Sequence, residues 1–385
     1  MQVKGGSMER LKYGMVGGGL GSYIGDVHRQ AARMDDLAEL CAGCFSRKYE
    51  TSLNTADAWG LDHSRVYHNY QEMADAEAAR EDGIDFVSIT TPNASHYEIA
   101  RYFIERGIHV VCDKPLTLTL EQALDLEKLA QEKKILFGVT YGYTGYPVIR
   151  EAREMIRRGV IGEIIHVRVQ HPEDWVIDSV SPEPNGELPW RFHPEMVGEA
   201  LCTGDLGTHA EQLLVQFTGL HIRRVLAMLD TYPAYLPLET NTSVFLDLGE
   251  GRTGVLWASQ IAIGKTCSPA IYVIGTDGSL EWDHTQPDLL RYTPKGGATQ
   301  LLEAGKAYMS PQSNRLNRVS SGHHEGFYEA FGNIYRSYAQ VLLARKEGRE
   351  PADYTYPDIH DGVDGMRFVH ACVESQRRGN VWVDL

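Results

Sequence analysis

The sequence predicts an α/β protein in two domains: a doubly wound domain over residues 8–145 and an α+β domain over residues 146–385, the latter built on a large, mainly antiparallel sheet. Three observations predict it. Apolar strand-like runs alternate with helical patterns through the first 145 residues, joined by short links, as parallel strands with crossover helices require. Those runs are almost continuously apolar, as strands covered on both faces must be. Past residue 146 the runs alternate apolar with polar and are joined by turn signals such as Gly249–Gly251 and Asp277-Gly278, which favour hairpins.

The first run, LKYGMV (11–16), leads straight into GGGLGSYIG and a helical pattern to about Met34. Residues 37–45 form the second strand and 48–59 the helix after it. IDFVSIT (84–90) is a strand ending in TPN, and 95–106 is helical. IHVVC (108–112) runs into DKP, a helix spans about 120–133, and ILFGVTY (135–141) closes the series. A helix over about 147–158 precedes IIHVRVQHP, whose alternation gives one wetter face. RRVLAMLDTY, TSVFLDLG, TGVLWASQIA and AIYVIGTDGSLEW read as further strands, 204–218 as a helix packed on their sheet, and 325–346 and 359–377 as closing helices. Residues 178–189 and 304–322, rich in Pro, Ser, Asn and Gly, are candidate active-site loops.

Composition narrows the function. At 385 residues the chain is too long for one typical core. Lys and Arg number 37 against 52 Asp and Glu, a net charge of −15. That balance repels phosphate backbones and anionic lipid, so neither nucleic acid nor a membrane is an expected partner. No apolar run approaches the roughly 18 residues that span a bilayer. MQVKGGSMER lacks the apolar centre of a signal peptide; Met8 is a candidate natural start, with residues 1–7 a leader. Cys41, Cys44, Cys112, Cys202, Cys267 and Cys372 suggest no disulfide framework, which suits a reducing cytoplasm. Cys41 and Cys44 form a C-x-x-C, but within the apolar run LAELCAGCF they read as core cysteines.

Gly17, Gly18, Gly19, Leu20 and Gly21 stand where the first strand turns into the first helix. Glycine permits that tight turn and lets a pyrophosphate approach bare amides, while the helix N-terminus favours the anion. The chain is therefore expected to bind a dinucleotide in a Rossmann domain. The usual third glycine of the fingerprint is replaced by Ser22. At the end of the second strand stand Ser46, Arg47 and Lys48, with no carboxylate to hold a ribose 2′-hydroxyl. Ser46 and Arg47 suit a 2′-phosphate, so NAD(P)(H) is expected with a lean to NADP; NAD stays open if Arg47 is only a solvated helix-start residue. Thr91, Pro92 and Asn93, at a strand's carboxyl end, and His96 at the next helix start are further candidate cofactor contacts.

GMVGGGLG, TPNASH (91–96), CDKP (112–115), GDLGTH (204–209) and GHHEGFYEAF (322–331) follow one another in order. With these motifs the chain, from about Met8 to Leu385, resembles the Gfo/Idh/MocA family, which includes glucose–fructose oxidoreductase and inositol dehydrogenases. The resemblance implies a lysine beside the nicotinamide, matched by Lys114 in Asp113-Lys114-Pro115, where Asp113 replaces the family's usual glutamate. It also implies a D-x-G-x-H signature, matched by Asp205, Gly207 and His209. The chemistry agrees with both. Oxidising a carbinol requires the hydroxyl proton to leave with the hydride, and a cation near the oxygen stabilises the developing charge. Lys114 is the candidate for that cation, His209 for moving the proton and Asp205 for orienting them.

Tyr143, Trp175, Trp190, Arg191 and His323 are candidate substrate contacts, since aromatic faces stack on sugar C–H faces and Arg or His bonds hydroxyls. No metal site is expected: in His323-His324-Glu325, adjacent residues on a helix point apart. The expected substrate is a small polyol, sugar or glycoside. The resemblance implies a homodimer or homotetramer through the C-terminal sheet. Two other readings stay open: a glycosidase working by transient oxidation and elimination, and a non-enzymatic co-regulator that senses the dinucleotide.

Overall fold

The computed structural model describes residues 10–181, 187–350 and 353–385; the expectation placed on Met8, and part of the 178–189 loop, lie outside them. The first half runs Leu11–Gly17 (β1), Tyr23–Arg33 (α1), Ala38–Cys44 (β2), Tyr49–Trp59 (α2), Tyr70–Ala78 (α3), Phe86–Thr90 (β3), His96–Glu105 (α4), His109–Cys112 (β4), Leu120–Glu132 (α5) and Phe137–Val139 (β5). The five strands form one parallel sheet in the order β2-β1-β3-β4-β5. Phe86, Val87, Ile89, Val110 and Val139 are fully buried, which is why these runs carry no polar alternation. The strand order reverses between β1 and β3, and the carboxyl ends there open a crevice. Cys41 and Cys44 both lie on β2, and burial pushes both thiols up to about 11.

The turn after β1 depends on glycine. Gly17, Gly18 and Gly21 have φ of 79°, 70° and 86°. A Cβ on Gly18 would stand 2.4 Å from Thr90 Oγ1 and 2.6 Å from Met15 Cε. Ser22 is the N-cap of α1, its Oγ accepting the Gly25 N–H at 3.1 Å. The close helix–strand approach that a third fingerprint glycine normally permits is made instead at Gly25, whose Cβ would fall 2.2 Å from the Gly18 carbonyl oxygen.

The second half runs Pro147–Arg157 (α6), Ile164–Pro172 (β6), Trp175–Ser179 (α7), Pro194–Val197 (α8), Thr208–Thr218 (α9), Arg224–Asp230 (β7), Asn241–Asp247 (β8), Thr253–Ser259 (β9), Ala270–Gly275 (β10), Gly278–Asp283 (β11), Leu289–Pro294 (β12), Gln300–Glu303 (β13), Pro311–Asn314 (α10), Phe327–Lys346 (α11), Ile359–Arg377 (α12) and Val383–Asp384 (β14). Nine strands make a sheet in the order β13-β12-β11-β10-β6-β9-β8-β7-β14. Every pair is antiparallel except β6 with β9. Its inner face packs on α6, α9 and α12 through Val167, Val244, Leu256, Ile271 and Trp282. Its outer face exposes Met228, Phe245 and Trp257.

Two late helices belong to both halves. Phe331, Tyr335, Tyr338 and Leu342 of α11 pack with Leu11, Tyr13, Val27 and Phe86 of the first half. In α12, Val363 and Met366 join the core around Val139, while Phe368 and Cys372 join the core of the large sheet. The elements absent from the sequence reading are α3, β12, β13 and β14, together with the short helices α7, α8 and α10. α3 buries only Met73, Ala74 and Glu77, and β12 and β13 lie at the sheet's edge with a single buried residue between them, Leu290. Such elements show no period, because neighbours rather than their own sequence decide them.

Gly25→Ala is expected to cost about 1–3 kcal/mol of stability, since backbone rather than a flexible side chain must give way, and to weaken dinucleotide binding. Thermal unfolding and a cofactor titration check both; an unchanged Tm with unchanged affinity would show that the helix does not press on the turn.

Candidate active site

A cleft of about 710 Å³ lies where the switch point of the parallel sheet faces the second domain. One wall is the start of α1, with Gly21, Ser22, Tyr23 and Ile24, beside Thr91, Pro92 and Asn93 after β3. The amides of the first turn of α1 and the glycine turn behind them make a cradle for phosphate. A Cβ on Gly17 would meet Thr91 Cγ2 at 2.8 Å, whereas outside Gly21 there is open space. These residues fit the pyrophosphate of a dinucleotide.

Asp113, Lys114 and Pro115, after β4, line the floor, and the Lys114–Pro115 bond is cis. The Asp113 carboxylate accepts the Thr140 hydroxyl at 3.0 Å and lies 3.7 Å from the His28 imidazole. Burial alone would raise this carboxyl, but His28, Lys114 and His96 outweigh it and hold it at about 2. His28 in turn meets Tyr335 Oη at 2.7 Å, so α11 is tied to the floor of the cleft.

Lys114 reaches across to the second domain. Its Nζ donates to Asp205 Oδ1 at 2.6 Å and to the Asp205 carbonyl at 3.1 Å. Gln260, just past β9, donates to the other carboxylate oxygen at 3.1 Å. Burial opposes the Asp205 charge, but the Lys114 ammonium, with Arg191 and His171, keeps the carboxyl below its usual range. Asp205 sits in a π-helical turn, Thr203–Gly207, that runs into α9. The straight α-helix read from the sequence is thus widened at its start, as functional sites often are. Two of that turn's leading amides, Leu201 N and Thr203 N, donate to the buried Glu239 carboxylate at 3.0 and 2.7 Å.

His209, on the first turn of α9, is buried against Tyr143 with ring centroids 4.8 Å apart. Its Nδ1 has no partner among the described residues. Burial first, then the charges of Lys114 and His171, push the imidazole well below its ordinary value, so it is neutral at pH 7. The cleft thus holds a paired ammonium, an ionised carboxylate and a neutral imidazole together.

Of the sequence candidates, Gly21, Thr91, Pro92, Asn93, Asp113, Lys114, Tyr143, Trp190, Arg191, Asp205 and His209 all line this one cleft. Arg191 stacks on Trp190 with its guanidinium 4.5 Å from the ring. Gly17 and Gly19 form the turn behind the wall, and Leu20 is exposed on it. Ser46 accepts the Lys48 N–H at 3.1 Å, and Arg47 is exposed beside it at the end of β2. Three candidates stand elsewhere. His96 is buried, with Nε2 at 2.8 Å from the Thr91 carbonyl and Nδ1 at 3.0 Å from that of Pro115, so it braces the two loops from behind. Trp175 packs on Phe192 inside a small apolar cluster that supports the Trp190-Arg191 segment. His323 is exposed in a separate depression with Pro287 and Glu303, because α11 begins only at Phe327, and it is Phe327 and Phe331 that reach the cleft.

The sequence reading missed Glu173, Cys267 and Gln260. β6 and β9 run parallel with Pro172 opposite Ser259, so Glu173 and Gln260 leave the sheet side by side. Carboxyl ends of adjacent parallel strands are where such folds bind ligands. The signal was the strand end HPED, but its parallel partner could not be read locally.

The NAD-binding Rossmann-fold domain of the GFO_IDH_MocA oxidoreductase family matches residues 11–141, and the GFO/IDH/MocA C-terminal domain matches residues 149–281. The chain is 35% identical to the uncharacterized oxidoreductase YfiI of Bacillus subtilis, over 97% of this chain and 96% of that one. It is 26% identical to the levoglucosan dehydrogenase of Pseudarthrobacter phenanthrenivorans, over 74% and 76% of the two chains. It superposes on the crystal structure of an inositol dehydrogenase homolog from Azotobacter vinelandii, complexed with NAD+, with a TM-score of 0.92, 37% identity and 98% coverage of each chain.

NMR titration of labelled histidine is expected to find His209 still neutral well below its ordinary value, about 6.5. Lys114→Met removes one of the charges that hold it down, so its pKa should rise. A His209 that titrates at its ordinary value, unmoved by that substitution, would mean that neither burial nor the lysine charge governs the imidazole.

Proposed function

The chain belongs to the Gfo/Idh/MocA family of oxidoreductases, and from that premise we propose that it is an NAD(P)-dependent dehydrogenase acting on a ring hydroxyl of a sugar, glycoside or cyclitol. One observation carries the reading: Lys114, Asp205 and His209 meet in the same cleft as the amides at the start of α1. When bound, the dinucleotide supplies the hydride acceptor or donor. The protein supplies the rest. Lys114 polarises the substrate oxygen and stabilises its negative charge. Neutral His209 takes the hydroxyl proton on oxidation and returns it on reduction. Asp205 fixes the ammonium and leaves it little freedom to reorient. Trp190, Arg191 and Tyr143 supply an aromatic face and a hydroxyl-binding cation suited to a sugar ring.

For the cofactor, the residues favour NADP. No carboxylate stands at Phe45-Ser46-Arg47-Lys48 to repel a 2′-phosphate, and Arg47 is exposed where that phosphate would come. For assembly, the outer face of the large sheet, with Phe245 and Trp257 beside a shallow groove of about 650 Å³, suits pairing with a second copy into a homodimer or homotetramer. All six cysteines are free, which suits a reducing cytoplasm.

Purified protein offered sugars, glycosides and inositols is expected to reduce nicotinamide cofactor, followed by its near-ultraviolet absorbance. Lys114→Ala and His209→Ala should each lower kcat/KM by roughly 10²–10⁴. No turnover on any polyol or glycoside, or full activity in both variants, removes the reading. Arg47→Ala should lower kcat/KM for NADP about 10- to 100-fold, the worth of a charged hydrogen bond, and leave NAD nearly unchanged; equal losses with both cofactors would mean that Arg47 does not read the phosphate.

A further inference from the structure

We propose that His171, Glu173 and Cys267 form a binding site for a single divalent ion of the zinc class in the wall of the cleft. The three side chains come from the end of β6, the turn after it and the loop before β10, and their ligand atoms all lie within 4.8 Å of one another. His171 Nε2 is 3.4 Å from Glu173 Oε1 and 4.0 Å from Cys267 Sγ. Zinc bonds of about 2.0–2.3 Å at tetrahedral angles put ligand atoms roughly 3.3–3.7 Å apart. Small rotations of the Glu173 and Cys267 side chains would reach that spacing.

The burial of His171 points the same way. His171 is fully buried, yet its Nδ1 has no partner among the described residues. Its Nε2 has only the long approaches to Glu173 and Cys267. A buried imidazole nitrogen without a close partner is costly, and Nε2 is the nitrogen that faces the cluster. A cation bound at Nε2 supplies that nitrogen's partner and leaves the ring proton on Nδ1, and one thiolate with one carboxylate balances a double charge.

The donor set chooses the ion. A sulfur, an imidazole and a single carboxylate suit zinc-class metals and not calcium or magnesium, which need all-oxygen shells. The surroundings also suit a metal-bound sulfur. Tyr143 Oη lies 3.1 Å from Cys267 Sγ, and the Cys267 carbonyl meets His284 Nδ1 at 3.3 Å, which holds the loop. Glu173 and Cys267 both line the cleft with Lys114 and His209. Three protein ligands and a fourth position open to the cleft would leave a place for water or for a second hydroxyl of the substrate, as in open rather than closed zinc sites.

Metal binding is read without turnover, so it stands or falls apart from the dehydrogenase reading. The full chain, stripped with a chelator, is titrated with Zn(II) and separately with Co(II). The expected result is one ion per chain, with a thiolate-to-cobalt charge-transfer band. Cys267→Ser should abolish the band, and His171→Ala should weaken binding at least about tenfold. Zinc should also protect Cys267 of the unaltered chain from alkylation, mapped by mass spectrometry, a readout that does not depend on how the variants fold. Failure to take up either ion at micromolar concentration, uptake without protection of Cys267, or equal uptake by folded Cys267→Ser overturns the proposal.

Discussion

The bond between Lys114 and Asp205 crosses from one domain to the other at the point where their surfaces meet. The partners are 91 positions apart in sequence, and each is held by its own domain. Asp113 anchors the lysine's loop through Thr140, and His96 braces the same loop from behind. Asp205 is fixed by Gln260 and by the turn whose leading amides rest on Glu239. A partly exposed ion pair adds little to stability. This one matters because it joins the two domains within the cleft that both of them line.

The same ammonium produces two different protonation states. It holds the neighbouring carboxyl ionised, and it helps keep the neighbouring imidazole neutral. Burial acts on both by disfavouring the charged form: it opposes the carboxylate and favours the uncharged ring. Asp205 stays ionised because a cation touches it, and His209 loses its proton because burial first, and then the Lys114 ammonium nearby, disfavours its charged form. The protonation of the two groups is thus set by environment rather than by residue type.

Much of this was legible in the sequence, and the reasons are local. The parallel strands showed as unbroken apolar runs, and the glycine turn by its place after the first of them. Lys114, Asp205 and His209 could be picked from ordered motifs, and the cleft contains all three. What escaped depends on distant neighbours. Gly25 takes the role expected of position 22 because it meets Gly18, and only the packed backbone tells which glycine that is. His323 sits in a motif, but the helix it was assigned to starts four residues later and carries Phe327 into the cleft instead. Trp175 looked like a free sugar-binding face and is spent on Phe192. Glu173 and Gln260 have no motif at all; a single parallel pairing inside an antiparallel sheet brings them together.

That pairing also decides which elements line the cleft. Lys114 follows β4 of the parallel sheet and His209 lies on α9, while Glu173, Cys267 and the Trp190-Arg191 segment wall the cleft from the second domain. The segment rests on its own small cluster of Val176, Phe192, Val197 and Leu201, separate from the main cores. Two residues of the second domain bear directly on the ion pair: Gln260 donates to the Asp205 carboxylate, and the Arg191 charge helps keep it ionised. A fold so arranged couples the strand ends of the large sheet and the Trp190-Arg191 segment to the same carboxylate that holds Lys114, so the elements that wall the cleft also set the state of the ion pair within it.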